Sequence, residues 1–241
     1  MLLGAFLFGP SIWILVPAII LAIYAQWRVR STYRRYSRVR SAGGLTAVEA
    51  ATAILRKEAI TDVAIEETDR PLGDHYDPRK KTLRLSVPSK SNTPTAREER
   101  ETAIRSISAI GVAAHEAGHA IQHARGFGPL ALRTTIVPVA NFGSQLAFPL
   151  FFLGLILRYQ PLLTAGILLF SAAVLFTLIT LPVEFDASRR AVGALKGESL
   201  VSTEELGAVK EVLFAAALTY VAAAAMAALQ LFLLLSAGRR R

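Results

Sequence analysis

Four long apolar stretches divide the chain: Leu2 to Trp27, roughly Thr135 to Leu157, roughly Leu162 to Val183, and Val212 to Leu235. Each is near the length of about 20 residues that carries a helix across a hydrocarbon layer. Their alternation with polar segments predicts a mainly α, multi-pass helical membrane protein. Only Arg158, Tyr159, Gln160 and Pro161 separate the second run from the third, so those two are expected to form a tight helical hairpin. In the fourth run the Ala-rich stretch Ala222 to Ala228 reads as a surface for close helix packing. Asn141 and Gln145, polar within the second run, are expected to hydrogen-bond a neighbouring helix.

Between Ser41 and about Arg100 the pattern turns polar and mixed, which predicts a small α+β insertion. Thr46 and Glu49 have the spacing of a capping box ahead of a helix through Ala50, Ala53, Ile54 and Arg56. Val63 and Ile65 alternate with polar neighbours, and Thr82 to Ser86 alternate again after the turn-rich Asp74 to Pro78. A short sheet or hairpin follows from that period of two. An exposed strand edge there would accept an extended peptide as an added strand, or the strands only cover a buried helix. The expected divisions are an anchor at 1–27, the soluble insertion with a motif helix at 28–130, and the hairpin at 131–183. A segment at 184–210 and a last span with its tail at 211–241 complete the chain.

Composition agrees with the membrane reading: 53% of residues are hydrophobic and the mean hydropathy is +0.42. The formal charge of +9 would by itself allow nucleic acid as a partner, but the arginines sit beside apolar runs. Anionic lipid suits that arrangement better, so the bilayer is the expected partner and nucleic acid is not. Arg28, Arg30, Arg34, Arg35, Arg38 and Arg40 follow the first run directly. By the positive-inside tendency they place the insertion in the cytoplasm and the amino terminus outside. No positive charge precedes the first run and no small-residue cleavage site follows it, so it reads as an uncleaved anchor rather than a signal peptide. Four full crossings would leave Arg239, Arg240 and Arg241 outside against the same tendency, but the arginines after the first run, with Arg189, Arg190, Lys196 and Lys210, outnumber them.

Chemistry concentrates in Gly111 to Gln122, which contains His115-Glu116-Ala117-Gly118-His119. On a helix this H-E-x-x-H spacing puts both imidazoles on one face, one turn apart, where they can hold one metal ion. Glu116 is then placed to take a proton from an attacking water. The flanking residues are small and apolar, and three of the four histidines fall within nine positions, His115, His119 and His123. A polar cluster buried in such a helix needs partners, which a metal supplies. With no cysteine in the chain, zinc must be held by His and carboxylate groups.

The hairpin brings Glu184, at the end of the third run, back to the membrane face of the motif, which makes it the leading candidate for a third ligand. Asp186 lies in the same segment. His123, eight residues past His115, is about 12 Å along a straight helix, too far to share an ion, and reads as a structural or outer-contact histidine. The metzincin position ten residues after the first His is Arg125.

The passages DHYDPRKKTLRLS (74–86), AIGVAAHEAGHAIQHA (109–124), LRTTIVPVANFGSQLAFPL (132–150), LPVEFDASRRA (181–191) and AALTYVAAAAMAALQ (216–230) resemble the YugP-like family of bacterial membrane zinc metallopeptidases. The resemblance covers nearly all of the chain after the first run. It implies a multi-pass protein of the bacterial cell membrane with one zinc ion per chain and a peptide or membrane-protein substrate. More distantly, E-x-x-A after a hairpin resembles the third-ligand segment of the Ste24 and HtpX membrane gluzincins, which matches Glu184 to that ligand. Those relatives carry Asp four residues later, where this chain has Ser188, so the outer contact made by that Asp is either lost or taken over by Asp186.

The expected activity is amide hydrolysis with Glu116 as general base and His115, His119 and Glu184 on zinc, the active site facing the cytoplasm. Candidate stabilisers of the transition state are His75, Tyr76, Arg189 and Arg190, against the alternatives that the first pair shapes a turn and the second marks the membrane edge. Two other functions are weighed: a non-catalytic scaffold or chaperone stabilised by zinc, and an ion transporter.

Overall fold

A computed structural model describes residues 10–70, 73–88 and 93–239. The expected first span therefore lies outside the described residues from Leu2 to Gly9, as do Arg240 and Arg241. After a short 3-10 turn at Pro10–Leu15 come α1 (Val16–Tyr36), α2 (Ala47–Lys57), β1 (Ala64–Thr68), β2 (His75–Asp77) and β3 (Thr82–Ser86). Then follow α3 (Pro94–Ile104), α4 (Ile107–Ala124), α5 (Gly128–Leu157), α6 (Gln160–Gly197) and α7 (Thr203–Arg239). Among the described residues four helical stretches are long and apolar enough to cross a membrane: Trp13–Tyr36, Gly128–Leu157, Gln160–Gly197 and Thr203–Gly238.

The helices overrun the apolar stretches. α6 does not stop at Val183, because Val183, Ala187, Ala191 and Leu195 continue a buried stripe every fourth residue to the last turn. Pro182 inside it removes one backbone donor without ending the helix. α7 starts well before Val212 because Ser202 and Glu205 cap it reciprocally: the Glu205 carboxylate accepts the Ser202 N–H at 2.7 Å and the Ser202 hydroxyl accepts the Glu205 N–H at 3.2 Å.

The chain divides into two compact units. The first comprises residues up to Gln26, 128–182 and 218 onward. Within it α5 and the first part of α6 form a hairpin turned by Arg158, at φ 53°, and Tyr159. Gly143 lies against the Leu169 carbonyl, Gly154 against the Leu163 N–H, and Gly166 against Ala147 and Phe151. A Cβ at any of the three would meet backbone, so glycine sets how closely these helices approach. Phe148, Phe151, Phe152 and Phe170 fill the remaining space with ring centroids 5.1 to 6.3 Å apart. Asn141 and Gln145 are exposed on α5.

The second unit holds residues 27–127 and 183–217. Thr46 caps α2 with the full reciprocal box to Glu49. The three strands are ordered β1-β3-β2, with β1 parallel to β3 and β2 antiparallel to it. The turn from β2 into β3 is made by Asp77, whose Oδ1 accepts the N–H groups of Arg79 and Lys80 at 2.9 and 3.3 Å. Leu83 and Leu85 of β3 are buried with Ala50, Ala51 and Ile54 of α2 and with Ile107, Ile110, Ala113, Ala114 and Ala117 of α4. α4 is thus the central rod of this unit. Ser106 caps its start, and a Schellman turn ends it, with Phe127 N–H on the Gln122 carbonyl, Gly126 N–H on the His123 carbonyl and Gly126 at φ 63°.

Candidate metal centre

α4 and α6 cross where Gly118 meets the backbone of Ala187. Any side chain at 118 would hold the helices apart, and this contact is what brings Glu184 beside the two imidazoles. His115 Nε2 lies 3.1 Å and His119 Nε2 3.7 Å from Glu184 Oε2. The rings of His115 and His119 meet edge to face at 4.8 Å. One ligand atom from each of the three residues falls within 4.8 Å of the others. Glu184 is 2% exposed and His119 8%, so the carboxylate needs a cationic or donor partner to be tolerated there.

The outer contacts decide which ring nitrogens are free. Gln122, fully buried, points its Nε2 at two acceptors, the Val183 carbonyl at 2.8 Å and Asp186 Oδ2 at 3.0 Å. That orients its amide oxygen as the acceptor toward His119 Nδ1, 3.0 Å away. Nδ1 therefore carries the proton, and the Nε2 lone pair faces the Glu184 carboxylate. His115 Nδ1 is held likewise by Ser188 Oγ at 3.1 Å. Two imidazole lone pairs aimed at a buried carboxylate repel it unless a cation stands among them, and the donor set of two nitrogens and one oxygen suits zinc. In the metal-free protein a proton takes that part. Burial favours neutral His119, but the hydrogen bond that its ring donates to the Glu184 carboxylate and the charges of Glu116 and Glu184 outweigh it and raise the pKa.

Glu116, half-buried on the same turn, accepts the backbone N–H of Tyr76 at 2.8 Å. β2 is an edge strand, so this N–H points out of the sheet toward α4. The Tyr76 hydroxyl pairs with His123 Nδ1 at 2.8 Å. Burial first, then Asp62 and Asp77, push the Tyr76 phenol up to about 12, so it stays a donor.

The remaining candidates are placed elsewhere. His123 is occupied by Tyr76 and stands outside the three-residue cluster. Asp186 holds Gln122 and Arg190, the latter at 2.5 Å from Nε. Arg189 is mostly exposed and 3.8 Å from Asp186. His75 is exposed, with Nδ1 2.8 Å from the Gly73 carbonyl. Sequence reasoning overlooked Gln122 and the direct contact of Ser188. Both were open to a spacing argument, Gln122 three residues after His119 and Ser188 four after Glu184, each on the same helix face as a candidate ligand.

Residues 11–238 match the family described as "Putative neutral zinc metallopeptidase". The chain is 44% identical over 220 residues to "Putative membrane protease YugP" of Bacillus subtilis (strain 168), covering 91% of this chain and 92% of that protein. No solved structure matches it.

Proposed function

The chain belongs to the family described as "Putative neutral zinc metallopeptidase", and from that premise we propose that it is a zinc-dependent membrane endopeptidase. His115, His119 and Glu184 would hold one zinc ion per chain, and Glu116 is the general base. The observation that carries this reading is the paired arrangement at the two histidines, with both Nδ1 atoms engaged by Gln122 and Ser188 and both Nε2 atoms beside one buried carboxylate.

Zinc, when bound, supplies a Lewis acid that polarises a peptide carbonyl and lowers the pKa of water. Glu116 takes the proton of the attacking water at its carboxylate and passes it to the leaving amine. The N–H of Tyr76 holds that carboxylate in place. Gln122 keeps His119 in the tautomer that leaves Nε2 free, and Ser188 holds the His115 ring in orientation.

The substrate class is a peptide or membrane protein, the setting a bacterial cell membrane, and the catalytic side the cytoplasm. The anchor, insertion, hairpin, third-ligand segment and last span divide as 1–27, 28–130, 131–183, 184–210 and 211–241. The test compares detergent-purified wild type with Glu184→Ala and Glu116→Gln. About one zinc per chain is expected in the wild type and in Glu116→Gln, and little in Glu184→Ala. Peptide hydrolysis is expected from the wild type alone. Zinc undiminished in Glu184→Ala overturns the ligand set, and full activity in Glu116→Gln overturns the base.

A further inference from the structure

Behind the metal cluster, the same unit carries an open apolar groove of about 270 Å3. α6 lines it with Phe185, Ser188, Arg189 and Val192, and α7 with Lys210, Leu213, Phe214 and Ala217. Each set follows the i, i+3, i+4, i+7 spacing of one helix face. The connection from Gly197 to Thr203 is short, so the two faces run antiparallel. Val192 and Lys210 therefore lie toward the connecting loop. Phe185 and Ala217 lie toward the apolar runs into which α6 and α7 continue.

The groove is polarised along its length. Cations mark it at Arg189 and Lys210, both exposed, and among the described residues Lys210 has no acidic partner. Phe185 and Phe214 remain 43% and 58% exposed, an amount of bare aromatic surface that water disfavours. A substrate side chain does not suit it. Ser188 meets His115 at Nδ1, the ring edge turned away from Glu184, so the groove backs the metal cluster rather than opening on its reacting side.

We infer that this groove binds an anionic phospholipid, with one acyl chain along Phe185, Phe214 and Ala217 and the phosphate at Arg189 and Lys210. Charge complementarity selects the headgroup and the apolar lining accepts the chain. The site is independent of peptide hydrolysis.

Native mass spectrometry of the full-length protein in detergent, titrated with phosphatidylglycerol and with phosphatidylcholine of the same chains, tests it. The wild type is expected to bind phosphatidylglycerol about tenfold more tightly, as two cations near a phosphate would give. Arg189→Gln with Lys210→Gln should abolish that preference. Phe214→Ala, which strips exposed aromatic lining from the acyl end of the groove, should weaken both lipids about fivefold or more. Zinc content, measured on each variant, reports whether the unit is intact. A preference that survives the double substitution overturns the headgroup site. Unchanged lipid binding in Phe214→Ala overturns the acyl site, and so does full displacement by excess inorganic phosphate. Equal binding of the two lipids by the wild type, the result for a groove that takes apolar peptide, overturns the proposal as a whole.

Discussion

The helical hairpin of α5 and α6 and the crossing of α4 with α6 use one device for different ends. In both, a glycine lets two backbones touch: Gly166 against Ala147 and Phe151 in the hairpin, Gly118 against Ala187 at the crossing. Beside Gly166 the space is filled by phenylalanine rings. Beside Gly118 it holds two imidazoles, a carboxylate and a fully buried amide. Close approach in an apolar hairpin secures packing that lipid alone does not drive. At the crossing it creates a largely buried site, where each sealed polar atom must be matched by another. What is placed next to the glycine, more than the glycine itself, separates scaffold from chemistry.

The largest expected effect comes from forcing the two contacts apart. Gly118→Val should cost about 3 kcal/mol or more and remove bound zinc, because the added atoms meet the backbone of Ala187. Gly166→Val should lower the thermal midpoint comparably yet leave zinc on the protein that remains folded. Thermal denaturation with metal analysis of each variant checks both, and zinc loss in Gly166→Val alone would reverse the comparison.

A smaller effect separates the two outer supports. Gln122→Leu should weaken zinc about 100-fold and Ser188→Ala about tenfold, measured by competition with a chelating dye. The difference follows from burial: Gln122 is sealed and holds three partners, whereas Ser188 is partly exposed and serves one. Equal losses would mean that holding each ring in orientation, not connectivity, sets the affinity.

Zinc affinity should also fall as pH drops. His119 must be neutral to bind metal, and its pKa is raised in the metal-free protein, so protonation competes at higher pH than for a free histidine. Below that raised pKa the affinity should decline about tenfold per pH unit for each proton displaced. A chelator titration across the neutral range that shows a flat affinity would refute it.

The smallest change is expected for Tyr76→Phe, which removes the hydroxyl bonded to His123 but keeps the backbone N–H on Glu116. It should cost about 1 kcal/mol of stability and leave zinc binding within twofold, as thermal and metal measurements would show.

Much of this was legible in the chain. Four apolar runs announced four long helices, and Thr46 with Glu49 announced the start of α2, because bilayer thickness and capping are local constraints written in consecutive residues. The spacing of His115 and His119 placed both imidazoles on one face for the same reason. Helix ends were harder to read. α6 passes through Pro182 to Gly197, since a buried stripe at Val183, Ala187 and Ala191 outweighs one missing backbone bond.

What consecutive residues could not express is contact between segments far apart. The sequence by itself determined the class of the protein, the helix face that carries two histidines and the absence of thiolate ligands. Only the tertiary structure decided that Glu184 stands between those histidines, that Gln122 and Ser188 take their outer nitrogens, and that Tyr76 reaches Glu116. The reason is physical. Local spacing sets direction along one helix, whereas the meeting of Gly118 with Ala187 depends on the packing of the whole Ala-rich core around α4.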